Sequence, residues 1–452
     1  MADLRFPDGF LWGAATAAHQ VEGDNRHSDW WAWERRPGTP CREPSGDACD
    51  HYRRYPDDLG ILAGLGLNAY RFSVEWARIE PVEGVTDREA LAHYRAMVDA
   101  TRERGLTPMV TLNHFTLPRW VADRGGWRDA ETPARFERYC RLVVDALGPG
   151  VDWYCTINEP GVVAFGGYLG ALGFPPGARD VGSWKRAIRG LVEAHRRAVG
   201  VVHGLRPGAR VGATHSLQEW DVRDGGRALA DYLRRMNEDV FLEACTADDF
   251  VGVQTYSRVR LSGPGFAGPL VRAAVSLPLV EAAFVPVATR VGQRMVDAAV
   301  ARRGERTTQM GYEYRPEAVA ATIRRVADLL PGKDIVVTEH GVATSNDADR
   351  VEFILRGLTA IHGLMDAGLP IRGYIHWSLL DNFEWALGYA MTFGLVGVDR
   401  VTQERTIRPS ARLLGQIART GNVPAWTPDG PAPAEAIAAA PADSVLAQLR
   451  KL

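Results

Sequence analysis

The sequence predicts a single (β/α)8 barrel with elaborated loops, on three observations. Eight short β-rich runs recur along the chain, helix-like stretches fill most of the intervals, and polar residues cluster just after the runs. The runs are residues 11–15, 69–74, 109–113, 153–157, 210–214, 250–255, 335–338 and 373–377, each bounded by turn-forming residues. Between them, residues 87–104 carry Leu91, Tyr94 and Val98 at helical spacing and stop at Gly105. Residues 133–147 and 184–204 read the same way. So do residues 315–330, with Pro316 in the first turn, where a missing N–H leaves no bond unmade. A doubly wound open sheet is the alternative, but it calls for a Gly-rich phosphate loop after the first strand. Gly13-Ala14-Ala15-Thr16-Ala17 lacks that spacing. The barrel is assigned to residues 1–425. The tail, 426–452, is rich in Pro and Ala and reads as an extended strap or as disordered.

Composition narrows the function classes. The chain has 452 residues, 46% hydrophobic and 24% charged, with a formal charge of −2. That balance argues against a general nucleic-acid surface, which needs clustered excess Lys and Arg. Five cysteines are too few and too scattered for a disulfide framework, and no Cys-x-x-Cys pair or neighbouring His suggests a metal. Neither a signal peptide nor an apolar stretch long enough to span a membrane is recognisable, so a cytoplasmic location is expected.

In a barrel enzyme the chemistry sits where the strands end. Asn158-Glu159-Pro160 follows the fourth run and Glu339-His340-Gly341 the seventh. Two carboxyls facing each other across a barrel mouth are the requirement of glycoside hydrolysis, in which one protonates the leaving oxygen and the other attacks the anomeric carbon or activates water. Other run ends contribute Gln20, Arg71, His114, Tyr256, Trp377, Glu384 and Trp385. Amides, carboxylates and indole faces suit a sugar, which offers many hydroxyls and an apolar ring face. Taken singly, a Glu at a strand end is more often a loop ion pair. The convergence on one face is what points to a site.

Phe6-Pro7 through Gln20-Val21-Glu22-Gly23, Tyr70-Arg71-Phe72-Ser73, Thr111-Leu112-Asn113-His114-Phe115, Thr156-Ile157-Asn158-Glu159-Pro160, Thr338-Glu339-His340-Gly341 and Trp377 through Trp385 occur in that order. In these motifs the sequence strongly resembles glycoside hydrolase family 1, the β-glucosidase family. The resemblance implies a retaining β-glycosidase with Glu159 as acid/base and Glu339 as nucleophile, their carboxyls about 5–5.5 Å apart. It implies that Asn158 holds the sugar 2-hydroxyl, that Gln20, His114, Glu384 and Trp385 hold the outer hydroxyls, and that Trp377 lies under the ring. Arg71 and Tyr256 would support Glu339. The expected substrate is a small β-glycoside, and the expected chemistry needs no metal or other cofactor. Glu159 argues against the thioglucosidase relatives, which carry Gln there. Glu384, Met391 and Phe393 stand where 6-phospho-β-glycosidases hold phosphate, and the Glu would repel it.

Two departures stand out: His340 replaces the family's Asn, and Gln254-Thr255-Tyr256 replaces Asn-Tyr-Tyr. Both are expected in or beside the sugar site, and His340 is expected either to alter the pH profile or merely to fill the Asn volume. Residues 261–306 are the least family-like and should lie at the barrel mouth. Leu270-Val271-Arg272-Ala273-Ala274-Val275 and Met295-Val296-Asp297-Ala298-Ala299-Val300 read as short helices, separated by Pro278 and Pro286. Arg258, Arg260, Arg272, Arg290, Arg294, Arg302, Arg303 and Arg306 are set against only Glu281, Asp297 and Glu305. Three readings stay open: a hairpin packed on the barrel or on a second subunit of a homo-oligomer, a lid over a hydrophobic aglycone, and a weak interfacial membrane contact.

Overall fold

The computed structural model describes residues 4–263, 267–277, 280–285 and 304–424. Eight parallel strands close a barrel: β1 (Leu11–Ala15), β2 (Ala69–Ser73), β3 (Thr107–Asn113), β4 (Trp153–Asn158), β5 (Arg210–Ser216), β6 (Phe250–Gln254), β7 (Asp334–His340) and β8 (Ile371–Trp377). They neighbour one another in chain order, and β8 returns to β1 through Tyr374↔Trp12 and Ile375↔Gly13. Every residue of β2 and of β6 is buried, because one face meets the barrel interior and the other meets helices. Such strands read as continuous apolar runs, which is why their positions are legible. Gly212 shows how tight the wall is: a Cβ there would sit 2.1 Å from the Phe250 carbonyl oxygen.

The surrounding helices include α1 (His51–Leu65), α2 (Arg88–Glu103), α3 (Thr132–Leu147), α4 (Val181–Leu205), α5 (Ala318–Leu329), α6 (Asp347–Asp366) and α7 (Pro409–Thr420). Asp87 caps α2 by accepting from the Glu89 and Ala90 N–H groups at 2.9 and 3.0 Å. The helix buries Ala90, Tyr94, Met97, Val98 and Thr101 and stops at Gly105, whose φ of +73° favours glycine. Each fully buried apolar side chain on such a face stabilises by roughly 1.5–3 kcal/mol. Helix α5 starts later than expected. Pro316 stays outside it, with its carbonyl oxygen 3.1 Å from His340 Nε2.

One element was not foreseen. Residues Glu219–Asp224, just beyond β5, pair in parallel with Arg258–Gly263, just beyond β6, in register Glu219↔Arg258 to Asp224↔Gly263. The helix Ala267–Ser276 then packs against Arg227–Arg234, and Glu281 binds Lys185 Nζ at 2.6 Å and the Tyr232 hydroxyl at 2.7 Å. The expected arginine excess is corrected here for three of the eight residues. Arg258 is held by Glu313 at 2.6 and 2.7 Å, Arg260 by Asp221, Glu305 and Glu313, and Arg306 by Asp349 and Glu352, both at 2.7 Å. Most of these acids lie outside residues 261–306, so counting charge within the segment overstated its basicity. For these three arginines the electrostatic ground for a membrane contact is gone. Arg290, Arg294, Arg302, Arg303, the expected helix at 295–300 and the tail from 426 lie outside the described residues. Among the described residues, no helix is long and apolar enough to cross a membrane.

Candidate active site

The Glu339 carboxylate at the end of β7 is gripped from both sides. Arg71 NH1 reaches Oε1 at 2.5 Å, and the Tyr256 hydroxyl donates to Oε2 at 2.5 Å. Arg71 is buried, and its rigid fork also bonds Thr111 Oγ1 at 3.1 Å, the Thr338 carbonyl at 3.2 Å and Asn158 Oδ1 at 2.5 Å. Asn158 Oδ1 accepts further from Thr214 Oγ1 and Gln254 Nε2, each at 2.9 Å. With Oδ1 taken by three donors, the amide orientation is fixed and Nδ2 faces His114 Nε2 at 3.1 Å. That nitrogen accepts, so the His114 proton sits on Nδ1, a buried donor with no partner among the described residues. Burial, with Arg71 nearby, holds His114 far below its ordinary pKa and therefore neutral.

Glu159 follows β4 with φ +44°, a left-handed conformation that costs a non-glycine residue on the order of 1 kcal/mol and is characteristic of functional turns. Its backbone N–H is anchored to the Thr214 carbonyl at 2.8 Å. Burial, and then the charge of Glu339, raises the Glu159 carboxyl well above the usual range against the pull of Ser216 and Arg71. Burial raises Glu339 too, but Arg71 and Tyr256 oppose it directly. One proton shared between two coupled carboxyls therefore resides on Glu159. Glu159 Oε1 is buried with no protein partner among the described residues.

This arrangement predicts the effect of Tyr256→Phe. The lost hydrogen bond stabilises ionised Glu339, so the folded-state pKa of Glu339 rises. Activity that needs the carboxylate is lost as pH falls through that pKa, so the acidic limb of kcat/KM moves upward. About one pH unit is expected for a bond to a charged group. An unmoved limb in the pH–rate profile would count against Tyr256 as its support.

The rest of the bowl is aromatic and amide-lined. Gln20 Nε2 donates to the Phe383 carbonyl at 2.8 Å, to Asn382 Oδ1 at 3.1 Å and to Glu384 Oε2 at 3.4 Å, leaving Gln20 Oε1 buried and unpartnered among the described residues. Burial and the Glu339 charge push Glu384 up to about 8. The His114 ring lies nearly parallel to Trp377 and to Trp385, with centroids 5.8 and 6.2 Å away. Trp385, at φ +50°, is wedged against Trp30, Phe115 and His19.

The fold thus brings Gln20, Arg71, His114, Asn158, Glu159, Tyr256, Glu339, Trp377, Glu384 and Trp385 into one linked cluster. Of the two departures, Gln254 belongs to it and His340 does not. Successive side chains of a strand point to opposite faces, so with Glu339 inward His340 points outward. His340 Nδ1 meets the Tyr374 hydroxyl at 3.1 Å, and its ring packs over Gly357, where a Cβ would come within 2.4 Å of it. Burial pushes His340 down to about 4, which favours the expectation that it fills the Asn volume over an altered pH profile. His340→Asn is expected to leave both limbs of that profile in place; a shifted limb in the same titration would contradict this. Thr214, Ser216 and the aromatic backing of Trp385 were missed. Reading β5 outward in steps of two would have flagged Thr214 and Ser216 as sharing one face.

Comparison with known proteins agrees with this geometry. The chain is 36% identical over 459 residues to thermostable beta-glucosidase B of Thermobispora bispora, covering 92% of this chain and 91% of that protein. It is 33% identical to a bifunctional beta-D-glucosidase/beta-D-fucosidase of Bifidobacterium breve, covering 90% and 96%. The crystal structure of beta-glycosidase BGL167 superposes with a TM-score of 0.79 at 39% identity, covering 94% of this chain and all of that one. The profile of glycosyl hydrolase family 1 matches residues 2–243 and 282–423, and on this agreement of motif, barrel and site the chain belongs to that family.

Proposed function

We propose that this glycoside hydrolase is a retaining β-glucosidase in which Glu159 is the general acid/base and Glu339 the nucleophile. The carrying observation is the asymmetry of the two carboxyls. Glu339 is held by a guanidinium and a phenol, both of which favour its charge, while Glu159 is buried, raised and open on Oε1. An acid that begins protonated and a nucleophile that begins ionised are what double displacement needs.

A β-glucoside lies with its ring on Trp377 and its outer hydroxyls toward Gln20, Glu384 and Nδ1–H of His114. Asn158 Nδ2 faces the 2-hydroxyl. Glu159 gives its proton to the glycosidic oxygen as the C1–O bond breaks, and a Glu339 oxygen bonds to C1 from the opposite face. Glu159, now a carboxylate, then takes a proton from water as the water oxygen bonds to C1 and the ester to Glu339 breaks. Two inversions return the β-configuration. In an NMR time course the β-anomer of the released sugar is expected first; initial release of the α-anomer would sink the mechanism.

A preference for apolar aglycones is part of this proposal, and exposed apolar residues after β6 support it. Beyond the accessory strand Arg258–Gly263 the chain exposes Leu270, Leu277 and Val280, at 64%, 56% and 43%. Replacing the three together by Ser is expected to raise KM for hydrophobic glucosides about tenfold and to leave nitrophenyl glucoside turnover unchanged. Equal effects on both substrate classes would make the surface purely structural. The five cysteines are buried and unpaired, which supports a reducing compartment such as the cytoplasm.

A further inference from the structure

A second cluster of chemistry-bearing side chains lies away from the sugar bowl, between the barrel strands and helix α4. His195 projects from α4, His215 from β5, and Cys245 and Asp248 from the turn that leads into β6. All four are buried, with exposures of 4% or less. One ligand atom each from His195, Cys245 and Asp248 lies within 4.8 Å of the other two. His215 Nε2 stands 3.2 Å from Cys245 Sγ.

The outer contacts of the group aim its inner atoms at one point. His195 Nδ1 is taken by Thr156 Oγ1 at 2.8 Å, which turns Nε2 inward. Asp248 Oδ2 accepts the Ala213 N–H at 3.0 Å, which turns Oδ1 inward. His195 Nε2 and Asp248 Oδ1 face each other at 3.2 Å, and neither has a hydrogen-bond partner among the described residues. The two atoms lie in ion-pair contact but without hydrogen-bond geometry between them, which leaves both lone pairs placed to share a cation.

We propose that His195, Cys245 and Asp248 form the core of a structural zinc site on the outer face of the barrel, with His215, beside Cys245, moving in to complete it. Two imidazole nitrogens, one thiolate and one carboxylate oxygen are a tetrahedral donor set for this ion. Ligand atoms about 2.0–2.3 Å from a zinc ion stand roughly 3.3–3.8 Å apart, so the three atoms, all within 4.8 Å of one another, need only small shifts to meet one ion. Charge closes as well. Zinc displaces the Cys245 thiol proton to solvent, and the ion's two positive charges then meet one thiolate and one carboxylate, leaving a neutral buried centre. Thr156 and the Ala213 N–H are the outer partners that orient such ligands. The ligands come from three chain segments, so the ion would pin α4, β5 and the entry to β6 to one another. It takes no part in the sugar chemistry.

The test uses the full-length protein and zinc alone. Unfolded in denaturant with a chelator, then refolded with one equivalent of zinc and freed of excess by gel filtration, the protein is expected to retain about one zinc per chain. Refolded with cobalt, it should show the thiolate charge-transfer band in the near ultraviolet and the strong visible bands of four-coordinate cobalt. Cys245→Ser should lose the charge-transfer band. Should Cys245→Ser not fold, His215→Gln should keep the charge-transfer band and weaken metal retention at least tenfold. Metal removal is expected to lower Tm by several degrees while nitrophenyl glucoside turnover by the folded enzyme is unchanged. Refolded wild-type protein that retains no zinc, or a cobalt spectrum without a thiolate band, would overturn the site.

Discussion

Glu339→Ala is expected to lower kcat on nitrophenyl β-glucoside by roughly 10⁵-fold or more, because the displaced carboxylate is the bond-forming atom of the first step and nothing beside it replaces that role. Added azide enters from the face the carboxylate has vacated while Glu159 still protonates the leaving group. The rescued product is then the α-glucosyl azide, identifiable by NMR. The variant also leaves Arg71 buried without its carboxylate, a loss of about 3–5 kcal/mol in folding stability. Glu339→Gln keeps an acceptor for Arg71 and Tyr256 and separates the two effects: it should be equally inactive and more stable. A β-azide from either variant would reverse the assignment of the two carboxyls.

Glu159→Ala is the second large effect, and it depends on the leaving group. A nitrophenolate departs with little help, so formation of the glycosyl-enzyme survives. An alkyl alcohol needs the proton, so hydrolysis of alkyl glucosides should fall by about 10²–10⁴-fold. Azide then attacks the accumulated glycosyl-enzyme from the face Glu159 has vacated and gives the β-azide. The pH profile carries the same information. Glu159 is raised by burial and by the Glu339 charge, and the wild-type enzyme needs its proton, so activity on alkyl glucosides is lost as pH rises through that raised pKa. In Glu159→Ala this alkaline limb should disappear. A variant that slows alkyl and dinitrophenyl glucosides by the same factor would show that Glu159 is not the proton donor.

The arginines of the accessory segment show where local reading stops. Arg258 and Arg260 look unpaired in the sequence, because Glu313 lies some fifty residues further on and Asp221 belongs to another strand. The same limit applies to His340 and Gln254. Their departure from the family pattern is visible in the sequence, but the face each one occupies is set by the register of β6 and β7. That register places Gln254 opposite Glu339 and sends His340 outward onto Gly357.

The sequence by itself determined the eight strands, their order, and the placement of Glu159 and Glu339 at strand ends. Buried parallel strands need continuous apolar runs, and the turns that follow them need polar residues, so both signals are local. Only the tertiary structure decided which carboxyl keeps the proton. That depends on Arg71 reaching Glu339 from 268 positions away in the chain, and on Tyr256 closing from the other side. It alone assembled His195, His215, Cys245 and Asp248 from segments with no shared motif. Local sequence carries backbone preference and burial. The pairing of charges across a closed barrel is set by strand register and closure, which no short stretch of sequence encodes.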